Sequence, residues 1–286
     1  MSDLRTLLGR IAERHERRLL PEAVRLSEQL ARELSFAELE GYFVGPEEWG
    51  DAYIVISTAP GDTSAARWAA QLVDMYVAWA RRHGMTSSVV DETPDDSGEW
   101  RLTLMIEGHG AYGLLQAERG THRFAEIVRA GDTRRKQVSQ VRIEVLPLVE
   151  ESTIRIPAGD QAIDARPMQS RGRRLRRLRS EARAVYLPSG AVATVTSDGD
   201  PARAEALAVS ILKARLRLAR ASVGNGLEAD PPWGSVARAY QLSRHSVIKD
   251  PRTGVAHQHP RAVFEGDLNR FIEGYLRKRS EATATA

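Results

Sequence analysis

Nine consecutive residues hold the densest chemistry in the chain. Arg171-Gly172-Arg173-Arg174-Leu175-Arg176-Arg177-Leu178-Arg179 carries six arginines and no acid, with Arg166 and Arg183 on either side and Asp164 and Glu181 the nearest carboxylates. A guanidinium keeps its charge and presents a planar fork of donors that matches phosphate oxygens. Six in such proximity repel one another unless an anion takes them up. The segment is therefore either a solvated basic face or a contact for RNA phosphates, and its surroundings favour RNA. Other chemistry is scarce. The chain has no cysteine, which removes disulfides, thiolate nucleophiles and Cys-ligated zinc and suits a reducing compartment. His257 and His259 flank Gln258 with no third ligand at metal spacing, so no metal is expected. Gly108-His109-Gly110-Ala111-Tyr112-Gly113 is glycine-rich but lacks the spacing of a phosphate loop, and no cofactor is expected. No Ser-His-Asp or paired-carboxylate grouping is readable.

The 286 residues fit two or three domains. Hydrophobic residues make up 42%, enough for real cores. The formal net charge is only +3, so the basic character is local, and the pI near 9.3 permits a nucleic-acid partner. The N-terminus is polar and no run of about 18 apolar residues occurs. A cytoplasmic monomer with no membrane contact is the expectation.

The elements around the run follow from pattern. Residues 3–34 read as helical, with Pro21 interrupting the run or starting a second helix. Residues 52–57 read as a strand. A helix follows Pro60-Gly61-Asp62-Thr63, with Thr63 its candidate cap. Its Trp68, Leu72, Met75 and Trp79 form one stripe, a core face rather than a base-stacking platform. Strands are expected at 85–90, 100–106 and 138–146, an acidic loop at 91–98 and a short helix at 114–118. Short strands at 153–156, 182–187 and 191–196 bracket the arginines, with Pro188-Ser189-Gly190 turning between the last two. Pro201 opens a helix over 202–220. A loop is expected at 224–232. A short strand, a polar loop and a terminal helix follow, and residues 280–286 form a tail.

Several ordered motifs resemble the bacterial class I peptide chain release factors, in the release factor 2 branch. They are Gly61-Asp62-Thr63 through Trp68-Ala69, Met75-Tyr76-Val77-Ala78-Trp79-Ala80, Gly108 with Tyr112-Gly113, and Glu118-Arg119-Gly120-Thr121-His122-Arg123. Near the end stand Trp233-Gly234, Lys249-Asp250-Pro251-Arg252-Thr253-Gly254 and Gly266-Asp267-Leu268-Asn269 with Phe271-Ile272. The resemblance covers about residues 41–278. It implies an α+β, release-factor-like fold: a short N-terminal helical region (1–40), a discontinuous α+β superdomain (41–151, decoding-domain-like, with 222–286) and an inserted small α/β domain (152–221).

The departures from the family pattern are at its two functional ends. The resemblance places the family's Gly-Gly-Gln, which helps position the water that hydrolyses peptidyl-tRNA, on Arg171-Gly172-Arg173, to within one residue. Glycine reaches backbone angles and approaches that arginine cannot. The codon-reading Ser-Pro-Phe falls on Val128-Arg129-Ala130, and the family histidine that stacks on a stop-codon base falls on Gln137. Valine lacks the serine hydroxyl and alanine lacks a ring. The expectation is a Gly-Gly-Gln-less translation factor, not an enzyme. It would bind the ribosome (rRNA toward the A site and peptidyl-transferase centre, with mRNA or tRNA as further contacts) through Arg171, Arg173, Arg174, Arg176, Arg177 and Arg179. Two alternatives stand beside it: a peptidyl-tRNA hydrolase with displaced catalytic residues, and a non-ribosomal RNA- or protein-binding protein.

Overall fold

The computed structural model describes residues 5–6, 8–11, 17–59, 62–94, 100–130, 133–148, 154–168, 179–225, 235–243 and 246–284. They fall into two compact units, 1–43 and 44–286. In the first, helix α1 (Leu20–Glu40) follows a 3-10 turn at Arg17–Leu19. Pro21 sits in its first turn, where the missing amide costs nothing, so the proline starts this helix rather than breaking it. The helix runs six residues past the expected end at 34.

The second unit is built on an eight-stranded sheet. Its strands are β1 (Ala52–Thr58), β2 (Thr86–Pro94), β3 (Trp100–Glu107), β4 (Gly120–Ala130), β5 (Thr133–Pro147), β9 (Val236–Leu242), β10 (Val247–Lys249) and β11 (Ala256–His257). Their order is β11-β10-β9-β4-β5-β1-β3-β2. Every neighbouring pair is antiparallel except β4 and β9, which run parallel. Between β5 and β9 the chain builds a three-stranded antiparallel sheet, β6 (Gln161–Met168), β7 (Arg179–Tyr186) and β8 (Ala191–Asp198), and the helix α4 (Pro201–Asn225). The small sheet is thus an insertion in sequence. It nevertheless shares a core with the large one. Tyr53 and Val55 of β1 and Leu146 of β5 pack with Ala182, Ala184, Ala193 and Val195 and with Ala204, Ala208, Ile211 and Leu212 of α4. Arg215 of α4 grips Glu144 of β5 in a two-toothed pair, Nε to Oε1 at 2.8 Å and Nη2 to Oε2 at 2.6 Å.

Helix α2 (Thr63–Arg82) covers the opposite face. Trp68, Leu72, Met75 and Trp79 are all buried, and Trp68 stacks on Phe124 of β4 with centroids 4.5 Å apart. The stripe is core, as its spacing predicts. The cap is Asp62 rather than Thr63: Asp62 holds the last non-helical backbone, and its carboxylate accepts the Ala65 amide at 3.0 Å. The short helices α3 (Ala111–Leu115) and α5 (Pro260–Phe264), a 3-10 turn at Gln116–Glu118 and the terminal helix α6 (Asn269–Ala284) complete the unit. Among the described residues no helix is long and apolar enough to cross a membrane.

Several local expectations change. The acidic segment from Asp91 is strand as far as Pro94, and residues 95–98 lie outside the described residues. Asp91 is buried because it accepts the Thr196 amide of β8 and the Thr103 hydroxyl at 3.2 Å, tying β2 to the small sheet. Residues 154–157 are irregular, and the strand lies at β6, where Ile163 and Ala165 alternate inward. β4 has no counterpart in the sequence reading. Residues 224–225 still belong to α4, and 226–232 lie outside the described residues. Residues 280–284 continue α6 rather than forming a tail.

Gly266 has φ +92°, and a Cβ there would lie 2.5 Å from the Trp79 amide nitrogen. Both the left-handed backbone and the close approach require glycine. Gly266→Ala is expected to destabilise the fold by more than about 2 kcal/mol, read as a lower urea midpoint with an unchanged slope.

Candidate nucleic-acid interface

Strands β6 and β7 pair from Gln161↔Tyr186 to Met168↔Arg179. This ladder brings together the two ends of segment 169–178, which lies outside the described residues and includes Arg171, Arg173, Arg174, Arg176 and Arg177. Arg179 is described, and it is engaged by the fold. Its Nη2 donates to the Glu92 carbonyl of β2, and its Nε sits 3.6 Å from Asp198 Oδ1 of β8. Arg179 therefore anchors the base of the segment to two neighbouring strands. Arg166 is tied in the same way to Glu181 across the β6–β7 ladder, Nη2 to Oε2 at 2.9 Å.

The other end lies on β4 and β5. These strands form one unbroken antiparallel ladder from Gly120↔Ile143 to Ala130↔Thr133, so only Gly131-Asp132 connects them. Val128 opposes Arg135, Arg129 opposes Arg134, and Gln137 opposes Glu126. β9 accompanies β4 only as far as Glu126↔Leu242, and β1 joins β5 only from Val141↔Thr58. Beyond those points β4 and β5 pair with each other alone and make a two-stranded arm. Strand alternation puts Arg123, Ile127, Arg134, Lys136 and Val138 on one face and Val128, Arg135 and Gln137 on the other. Arg67 of α2 pairs with Glu126 at the root of the second face.

The arm's root is fixed by a buried polar cluster. Arg238 of β9 and Glu118 are both fully buried and form an ion pair, while Tyr76 donates to the other Glu118 oxygen at 3.2 Å. The Arg238 guanidinium lies 3.7 Å from the centre of the Phe271 ring. His122 of β4 sits between Tyr240 and the Glu118 backbone: Nδ1 is 3.0 Å from the Tyr240 hydroxyl and Nε2 is 2.9 Å from the Glu118 carbonyl. A carbonyl only accepts, so Nε2 carries the proton and Nδ1 accepts from the tyrosine. Burial, and then the charge of Arg238, hold His122 well below the usual histidine range, which keeps it neutral. Burial and Glu118 push the Tyr76 phenol up. Neighbouring Arg252 grips Asp250 at 2.7 Å and donates to the carbonyls of Ala117 and, at 3.1 Å, Arg119. Sequence pattern alone missed this cluster. The available signals were the i, i+4 spacing of Glu118 and His122 and the Arg238-Ala239-Tyr240 alternation. His257 faces Asp267 at 3.5 Å, and among the described residues no group of three metal-binding side chains is found.

The lowered His122 pKa fixes a sign. Below about pH 6.5 the unfolded chain takes up a proton that the folded chain refuses, so this contribution to stability is complete above pH 6.5 and falls with pH below it. In urea titrations, His122→Asn should make the stability slope below pH 6.5 shallower than wild type by up to about 1.4 kcal/mol per pH unit.

A family model of the PCRF domain matches residues 2–143. Peptide chain release factor 2 of Mycobacterium tuberculosis is 32% identical over 260 residues, covering 88% of this chain and 70% of that protein. Peptide chain release factor 2 of Thermomicrobium roseum is 33% identical over 271 residues, covering 90% and 72%. The structure of RF2 of Thermus thermophilus superposes with a TM-score of 0.69 at 30% identity, covering 96% of this chain and 82% of that one. With this extent of shared sequence and fold, the chain belongs to the peptide chain release factor family, alongside release factor 2.

Proposed function

We propose that this chain is a ribosome-binding translation factor that neither reads stop codons nor hydrolyses peptidyl-tRNA. Family membership supports the ribosome as partner. The observation that carries the rest is a pairing of departures on a kept scaffold. Where the family pattern has Gly-Gly-Gln, this chain has Arg171-Gly172-Arg173 within an arginine run. Where it has Ser-Pro-Phe, this chain has Val128-Arg129-Ala130 in a regular strand ladder. Positioning supplies much of such catalysis, so losing the residues that position water removes most of the rate. The arginines replace that chemistry with phosphate contact. Arg171, Arg173, Arg174, Arg176 and Arg177 make the contact, and Arg179 holds their base. Docked as the family's tip is, the run occupies the peptidyl-transferase centre and blocks or protects it. A domain division at 41–151, 152–221 and 222–286 fits this reading, with the inserted module carrying the tip. The second reading, hydrolysis by a displaced residue, is favoured by the name its relatives carry, peptide chain release factor 2.

Ribosome co-sedimentation at two salt concentrations tests the proposal. Wild type should pellet at low salt and the fivefold Arg→Ala variant at 171, 173, 174, 176 and 177 should not. The wild-type affinity should fall with a log–log salt slope of about −0.7 to −0.9 per phosphate contact. Wild type remaining in the supernatant overturns the ribosomal reading. Peptide release above background from ribosomal complexes lacking a stop codon selects the hydrolytic one.

A further inference from the structure

β2 and β8 are the last strands of their sheets, and they lie edge to edge. The open edge of a strand presents unpaired N–H and C=O groups. Among the described residues no backbone ladder joins these two edges. Side chains close them instead. Arg215 Nη1 donates to the Val192 carbonyl, Arg101 Nη1 donates to the Thr194 carbonyl at 3.2 Å, and Asp91 Oδ1 accepts the Thr196 amide. Residues 192, 194 and 196 alternate along β8, so all three groups point to the edge away from β7. Guanidinium meets carbonyl and carboxylate meets amide, each in its proper sense. In return, Arg179 of β7 donates to the Glu92 carbonyl of β2.

Asp91 reaches this edge because of an irregularity in β2. Val89 opposes Leu104 and Asp91 opposes Thr103, so Val90 is an extra residue. Strict alternation would put Asp91 on the face of Val89, which is 52% exposed. The bulge turns it to the face of Thr103, whose hydroxyl donates to Asp91 Oδ2 at 3.2 Å. Asp91, Thr103 and Thr196 are each only 1% exposed. A carboxylate so deep is tolerated only with its oxygens bonded. The other attachment of the inserted module, where Tyr53, Val55 and Leu146 meet α4, is mainly hydrocarbon. Apolar contact holds surfaces together without fixing their angle, whereas hydrogen bonds weaken steeply when bent. Arg215 ties α4 to Glu144 on that side, and a single tie leaves rotation about it.

We propose that Asp91, Arg101 and Arg179 are positioning residues. They latch the inserted module to the edge of the large sheet in one orientation, and so aim the arginine segment that springs between β6 and β7. The latch stands whatever the arginines contact, and only its aiming role rests on the proposed function.

The chain has no cysteine, so Val77→Cys on α2 and Ala206→Cys on α4, both exposed, give two unique sites for spin labels. In the full chain, double electron–electron resonance should give one narrow distance between them. Asp91→Ala with Arg101→Ala should add a second, displaced population while far-UV circular dichroism stays that of wild type. Asp91→Asn keeps an acceptor for the Thr196 amide and should keep the single distance. Leu146→Ala thins the apolar side and should lower the urea midpoint with the distance unchanged. A folded double variant with only the wild-type distance overturns the latch, and so does a second population in Leu146→Ala alone. Should the double variant not fold, hydrogen exchange of wild type decides. The Thr196 amide should be protected like the amides of the β7–β8 ladder, and exchange as fast as at an open edge overturns the latch. The double variant keeps the arginine run and should pellet with ribosomes more weakly than wild type; undiminished pelleting overturns the aiming role. A wild type that shows the single distance but does not pellet removes the ribosomal reading and keeps the latch.

Discussion

The ion pair of Arg238 and Glu118 is the constraint on which the large sheet depends. Both side chains are fully buried, at a junction where β4, β9, the turn before β4 and α6 meet. Two charges in that position are tolerated only because each has further partners: Tyr76 on the carboxylate and the Phe271 ring under the guanidinium. Removing either charge would leave the other buried and uncompensated, which costs more than the pair itself contributes. The pair also sets register. It fixes β9 beside β4, and the neutral His122 ties the start of β4 to Tyr240 of β9 and to the Glu118 carbonyl.

That register lets an insertion of about ninety residues leave the sheet after β5 and return at β9 without disturbing it. The parallel β4–β9 pairing is the seam. The inserted sheet is not left loose, because Tyr53, Val55 and Leu146 contribute to its core, Asp91 and Arg101 bond to the backbone of β8, and Glu144 of β5 holds Arg215 of α4. The arginine segment therefore springs from a base held on several sides, with Arg166 and Arg179 both committed to internal carboxylates or carbonyls. Arg166 at the end of β6 and Arg179 at the start of β7 are both bound by the protein.

The root of the β4–β5 arm is bound by Arg67 and Glu126 and by the Trp68–Phe124 stack, and its outer part carries cationic side chains with no partner among the described residues.

Much of this was legible in the sequence. The Trp68-Leu72-Met75-Trp79 stripe predicted a helix and its buried face, because one helical period suffices to read both. Pro188-Ser189-Gly190 predicted its turn, and Gly190 indeed has φ +72°. The ordered motifs predicted the fold and the family. The run of arginines, and the absence of Ser-Pro-Phe and Gly-Gly-Gln, were also there to be read. What the sequence could not decide were the matters set by partners distant along the chain. β4 mixes His122, Arg123 and Glu126 among apolar residues, and no alternation marks it. Its strand identity comes from β5 and β9, the latter more than a hundred residues away. Asp91 reads as loop because carboxylates prefer water, and it is buried because Thr196 and Thr103 replace that water. Arg179 and Arg134 have the same composition and the same charge. Tertiary structure alone assigns one to the fold and leaves the other exposed, because only folding determines which carboxylates and carbonyls come within reach.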